Sequence, residues 1–314
     1  MTLFTLKIKS TAMIFENNIL KLSPEAIDNL IHHKDKYYKI EYLKEEGKYV
    51  QGGNGVVFKL VDEQEEQDYV IKIIKFPDQW KDDWKIKKRI NRFEREIEAL
   101  YVAKENKLQN IVHIEFHGII RITDYDFQYY VMEKCDCTLN EYLKDTNKEL
   151  SVFQKTLLCQ KILLGIIGLN EYKIYHRDIK HDNIFFVGNE PLIGDLGLVD
   201  KKDSDIRINE KGDLIGPTGW FSPEAINKYL VEKTPNPNGF DCNIDSKSEV
   251  FQLGKLFWFI YQGNIPIGQV EFLDFVPKDE AIFNLLFNML KYSKGNRFDS
   301  DDVLNKLNQY MTEN

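Results

Sequence analysis

His176-Arg177-Asp178-Ile179-Lys180-His181-Asp182-Asn183 is the stretch on which the reading of this chain turns. It follows an apolar helical pattern that ends near Tyr172 and precedes the apolar run 184–187, which places it in a loop. Transfer of a phosphoryl group to a hydroxyl needs a carboxylate to orient the nucleophile and take its proton. It also needs cations to offset charge on the transferred group and oxygen ligands for Mg²⁺. Asp178 supplies the base, Lys180 the cation near the γ-phosphate and Asn183 a metal ligand, all within one short loop. A chance polar loop is a remote alternative for so long a match.

The run resembles the catalytic loop of eukaryotic-type protein kinases, and a Lys two residues after the Asp resembles the serine/threonine branch of that family. Gly194-Asp195-Leu196-Gly197 resembles the D-F-G motif with Leu for Phe, which implies Asp195 as a second Mg²⁺ ligand. Upstream, Gln51-Gly52-Gly53-Asn54-Gly55-Val56-Val57 resembles the Gly-rich loop, with Val50 at the first glycine position. Glycines such as Gly52, Gly53 and Gly55 let backbone N–H groups approach phosphates closely. Val70-Ile71-Lys72 is similar to the strand that carries the phosphate-gripping lysine. Ile86, Ile90, Phe93, Ile97 and Leu100 form one face of an amphipathic helix, and Glu96 lies beside that stripe. A carboxylate there needs a partner, and Lys72 is the one the resemblance supplies.

The resemblance implies several further residues. Met132 would be the gatekeeper, and backbone groups of Glu133 and Cys135 would meet the adenine edge. Val57, Val70 and Phe185 would sandwich the ring, and Asp136 is a candidate ribose contact. Gly216-Pro217-Thr218-Gly219-Trp220-Phe221-Ser222-Pro223-Glu224 resembles G-T-x-x-Y-x-A-P-E, with Pro217 at the usual Thr position. Glu224 is expected to pair with Arg297. Glu249 stands where the family has the Asp that braces the catalytic loop. Between Asp195 and Glu224, Ser204 and Thr218 are candidate phosphosites in an acidic segment, and Arg177 implies a pocket for an activating phosphate or an acidic stand-in.

Composition agrees with this class. The chain has 314 residues, a formal charge of −8 and 43% hydrophobic residues, enough for a packed core. Net acidity argues against a general nucleic-acid binder. Four cysteines without C-x-x-C spacing suit reduced thiols in a cytoplasmic protein, in its own cell or as an effector in another. The stretch 253–261, the most apolar helical one on this reading, carries Lys255 and is too short for a bilayer, so no membrane partner is expected.

Strand-like runs at 38–43, 56–61, 69–74, 111–122 and 127–132 precede helical runs at 139–144, 152–171, 223–230, 248–262, 280–290 and 300–311. Asn17-Asn18 between two alternating runs predicts a small hairpin, and Ser23-Pro24-Glu25 predicts a helix to about Lys34. Trp80 and Trp84 are expected to pack on the strand-rich part. The expected fold is α+β and bilobal, kinase-like: a 1–36 extension, a β-rich N-lobe at 37–134, a mainly helical C-lobe at 135–314 and a cleft between them. The implied activity is ATP- and Mg²⁺-dependent (or Mn²⁺-dependent) phosphorylation of Ser/Thr in a protein substrate, with autophosphorylation. Two alternatives stand beside it, a pseudokinase scaffold and a kinase of small molecules.

Overall fold

The computed structural model describes residues 7–9, 13–23, 30–33, 36–43, 50–51, 54–62, 64, 67–145, 150–201, 215–234 and 239–313. The chain forms two compact units, Met1–Lys104 with Val112–Lys134, and Glu105–Ile111 with Cys135–Asn314.

The first unit contains β1 (Lys7–Lys9), β2 (Met13–Glu16), β3 (Ile19–Leu22), β4 (Leu30–His33), β5 (Lys36–Tyr42), β6 (Val50–Gln51), β7 (Gly55–Asp62), β8 (Gln67–Ile74), helix α1 (Trp84–Glu105), β9 (Ile114–Ile122) and β10 (Tyr125–Glu133). Its main sheet runs β1-β9-β10-β8-β7-β5-β4, with β6 paired to β7. β1 is parallel to β9, and the other pairs are antiparallel. The expected hairpin is present as β2–β3. Asn17 and Asn18 both have positive φ, 50° and 62°, which a two-residue turn between twisted strands requires and Asn tolerates. Its Phe15 packs on Trp80, Tyr125 and Phe127 at ring separations of 5.8, 5.5 and 5.0 Å.

Two expectations fail in this unit. Residues 24–29 lie outside the described residues, but 30–33 form strand β4 instead of helix. Ile31 and His33 alternate inward, and β5 offers a pairing edge. His33 stacks on Phe116 at 3.8 Å, so tertiary packing overrides the local helix signal. Trp80 packs as expected, whereas Trp84 is 59% exposed at the start of α1.

The second unit contains β11 (Cys137–Thr138), α2 (Leu139–Asp145), α3 (Val152–Glu171), β12 (Ile174–Tyr175), β13 (Ile184–Val187), β14 (Glu190–Ile193), β15 (Asp200–Lys201), α4 (Pro223–Val231), α5 (Ser246–Gln262), α6 (Glu280–Met289) and α7 (Ser300–Glu313). Each helix of the expected set is found within a few residues of its expected bounds. Ser151 caps α3 through a capping box with Gln154, and Asp245 caps α5. α5 is the central helix, apolar and buried from Leu256 to Tyr261. α3, not the 253–261 stretch, is the long apolar helix. By length and composition it could cross a membrane, and here it buries Cys159, Ile162, Leu163, Ile166 and Leu169 while packing on α5, α7 and β14. Residues 105–111 join this unit because Asn110 binds β14 twice, through its carbonyl to Ile193 N at 2.8 Å and its side-chain amide to Pro191 O at 3.0 Å.

Candidate active site

In the first unit the register assembles one face of the sheet. Val57 of β7 is opposite Lys72 of β8, and Lys72 is opposite Tyr130 of β10. Val70 is opposite Met132. Because side chains alternate along a strand, Gly55, Val57, Val70, Lys72, Tyr130 and Met132 share that face. Helix α1 lies over it and brings in Glu96, which is fully buried. Lys72 Nζ donates to Glu96 Oε1 at 2.7 Å, and the Tyr130 hydroxyl donates to the same oxygen at 2.9 Å. The ion pair expected from sequence is therefore formed, with a tyrosine that the sequence reading did not single out. Its signal was available, since Tyr130 sits two residues before Met132 on the same strand face. Gly55 has a steric reason to be glycine: a Cβ there would stand 3.0 Å from Lys72 Cγ and 3.1 Å from the Ile73 carbonyl. Gly52 and Gly53 lie outside the described residues. Glu133 donates its backbone N–H to His113 O at 3.0 Å and accepts His113 N–H at 2.6 Å through its carboxylate.

In the second unit the loop from β12 to β13 holds Asp178 in a fixed setting. Asn183 Nδ2 donates to both the Asp178 carbonyl and Oδ2, each at 2.8 Å, and Lys180 Nζ stands 3.2 Å from Oδ2. A short 3₁₀ turn, His181–Asn183, produces this geometry. Because the Asn183 amide nitrogen is engaged with Asp178, its Oδ1 is the atom left for a cation. Asp195, exposed and at φ +54°, adds a carboxylate, and Gly194 N donates to Asn183 O at 3.0 Å. These are hard oxygen donors and too few to cage an ion alone. Such a set fits Mg²⁺, which keeps waters and takes phosphate oxygens. Cys135 and Phe185 are half-buried in this unit. Asp136 accepts Gly188 N–H at 2.8 Å, which caps the β13–β14 turn. Leu196, at the position of the expected Phe, is fully buried.

Residues distant in sequence hold the loop. Glu249 of α5 accepts the backbone N–H groups of His176 and Arg177 through Oε1. Gln252 donates to the Arg177 carbonyl at 3.2 Å. Burial pushes the Glu249 carboxyl up to about 7, although the N–H donors of Arg177 and His176 and the Asn170 amide favour its charged form. His176 is fully buried, and burial lowers its pKa. Its Nδ1 accepts from Asp178 N and its Nε2 faces Gly194 O, each at 3.2 Å, so the ring is neutral with its proton on Nε2. His181 packs on Trp220 and Phe259 at 5.3 and 4.7 Å, which ties the 216–224 segment to the loop. The sequence reading missed Gln252 and this aromatic cluster. Gln252 one helical turn beyond Glu249 was the visible signal.

Glu224 and Arg297 form a buried bidentate pair, 2.9 and 3.3 Å, and Arg297 also donates to the carbonyls of Lys291, Lys247 and Tyr292. Thr218 is exposed. Ser204 and the acidic run around it lie outside the described residues.

With this geometry in place the family follows. The protein kinase domain family matches residues 44–306, and the chain belongs to it. Its sheet-rich first unit and helical second unit are the two lobes of the kinase fold. Serine/threonine-protein kinase pakA of Dictyostelium discoideum is 24% identical over 258 residues, 81% of this chain and 18% of pakA. Serine/threonine-protein kinase pakG of the same organism is 28% identical over 207 residues, 65% of this chain and 15% of pakG. The serine/threonine-protein kinase/endoribonuclease IRE2 of Homo sapiens is 24% identical over 144 residues, 44% of this chain and 14% of IRE2. The chain spans less than a fifth of the length of each of these relatives.

Proposed function

We propose that the chain is an active serine/threonine protein kinase that uses ATP with Mg²⁺ or Mn²⁺. The observation that carries the proposal is the Asp178 carboxylate, held by Asn183 and Lys180 in a loop that a buried helix carboxylate braces from behind. In the reaction, the bond from the γ-phosphorus to its bridging oxygen breaks, a bond to the substrate hydroxyl oxygen forms, and ADP leaves. Asp178 orients the hydroxyl and takes its proton, and Lys180 offsets charge on the transferred group. Lys72, aligned by Glu96, holds the α- and β-phosphates. Asn183 Oδ1 and Asp195 would hold the divalent cation, which would supply charge neutralisation at the phosphate oxygens when bound.

Val57, Val70 and Met132 share the face that bears Lys72, which supports an adenine site there, with Glu133 at the end of the same strand as Met132. The serine/threonine-protein kinase names of the relatives and Lys180 support hydroxyl acceptors of the Ser/Thr type in a protein. Thr218 and Ser204 are the proposed autophosphorylation sites, and their phosphate should be absent from protein made as Asp178→Asn. The four cysteines, all thiols with no disulfide among them, suit a cytoplasmic setting. Incubation with γ-labelled ATP, Mg²⁺ and a generic basic protein tests the proposal. Label on serine or threonine supports it. Label on neither protein, with ATP binding intact, would instead favour a scaffold or a small-molecule acceptor.

A further inference from the structure

A cavity of about 680 Å³ opens in the second unit between the start of α4, the middle of α5, the end of α6 and residues 266–270. Its walls are mainly apolar, with Phe221, Ile226, Phe251, Phe287 and Leu290 among them, while Asn227, Gln269 and Tyr292 add polar groups. Two lysines also line it. Lys255 is only 9% exposed. It donates to the Gly219 carbonyl at 2.8 Å and stands 5.6 Å from the centre of the Phe251 ring. An ammonium has three donors, and among the described residues no carboxylate lies within ion-pair distance of this one. Burial accordingly lowers its pKa. Lys291 stands 3.6 Å from the centre of the Phe287 ring, likewise without a carboxylate partner among the described residues.

A buried ammonium in an apolar wall is costly unless a counter-charge meets it. A mainly apolar cavity of this size is suited to a small molecule, and here the charged groups that line it, Lys255 and Lys291, are cationic. A neutral ligand leaves Lys255 uncompensated, and a bare inorganic anion leaves the aromatic walls wet. The geometry points to a second binding site, for an amphipathic monoanion: an acyl or aryl carboxylate whose charged end meets Lys255 and whose tail lies against Phe251, Phe287 and Leu290. Such a ligand touches Phe221 and Pro223 directly, and it binds the lysine that fastens the Gly219 carbonyl. It therefore acts on the 216–224 segment without entering the phosphoryl-transfer site.

Equilibrium dialysis of the full chain against radiolabelled decanoate, with decanol as the neutral control, tests this inference. The wild type should bind one decanoate saturably, and Lys255→Met should weaken it by about tenfold or more, the loss expected for one charge-assisted hydrogen bond. Ile267→Asp is a second variant. Ile267 lines the cavity and is 87% exposed, so the fold tolerates the change while the new charge repels the anion. Absence of saturable decanoate binding overturns the inference. So does equal decanoate binding by the wild type and both variants, or decanol binding as tightly as decanoate. Capture of an acidic, leucine-rich peptide where decanoate fails would assign the cavity to a protein partner instead.

Discussion

Glu249 Oε1 accepts the backbone N–H of Arg177 at 3.1 Å, so a carboxylate on the central helix fixes the residue that precedes Asp178. Arg177 has φ +64°, a left-handed conformation that costs a non-glycine residue about 1–2 kcal/mol. Both of its backbone polar groups are held by α5, the N–H by Glu249 and the carbonyl by Gln252. The loop that carries Asp178 is thus set from the core of the second unit.

Stability should carry the signature of Glu249. Its pKa is about 7 in the fold, against an ordinary glutamate value of 4.5. A raised pKa means the folded chain keeps a proton that the unfolded chain has released. The contribution is fully present below pH 4.5 and is lost as pH rises through about 7. Glu249→Gln, which still accepts both N–H groups, removes that dependence. In urea unfolding, this variant should gain about 2 kcal/mol on wild type between about pH 5.5 and 8. Parallel pH profiles would contradict the assignment.

Tyr130→Phe removes a donor to Glu96 Oε1. Loss of a hydrogen bond to a buried charged group costs about 1.5–3 kcal/mol, and chemical denaturation should register that loss. KM for ATP should rise as Lys72 loses its alignment. Unchanged stability and KM together would show that the Tyr130 hydroxyl does not help to hold Glu96.

Arg297→Met should cost about 3–5 kcal/mol, the usual penalty for stranding one member of a buried pair. The double variant Glu224→Leu/Arg297→Met should recover part of that loss and no more, because Arg297 also satisfies three backbone carbonyls. Full recovery in thermal unfolding would reduce Arg297 to an ion-pair partner.

Gly55→Ala should weaken ATP binding and lower the melting temperature, since the new methyl would stand 3.0 Å from Cγ of the Lys72 stem, which Glu96 holds, and 3.1 Å from the Ile73 carbonyl. Isothermal titration and a melting curve on the same preparation check both halves. Wild-type affinity would show that Lys72 has room to move aside.

Much of this was legible in the residues themselves. The loop from His176 to Asn183 packs its chemistry into eight consecutive positions, so its residue types and its resemblance to the kinase loop can be read from one short run. Glu96 beside a buried helical stripe showed that a carboxylate there needs a partner, and the resemblance supplied Lys72 as that partner. What stayed hidden depends on the third dimension. Tyr130 joins the pair through strand register, His181 meets Trp220 and Phe259 across a fold, and Lys255 looks like an ordinary charge inside an apolar helix until its burial is seen. The failed helix at 30–33 has the same cause. So short a run has too little local preference to resist a neighbouring strand edge, and Asn17-Asn18 succeeded because its turn is local.

The most direct test of the central claim is transfer of label from γ-labelled ATP by the purified chain, run beside Asp178→Asn. The account predicts labelled serine or threonine with wild type. It also predicts a fall in kcat of about 10²- to 10⁴-fold in the variant, the usual effect of losing a general base, with ATP binding retained. Equal turnover by the two proteins would contradict the role given to Asp178.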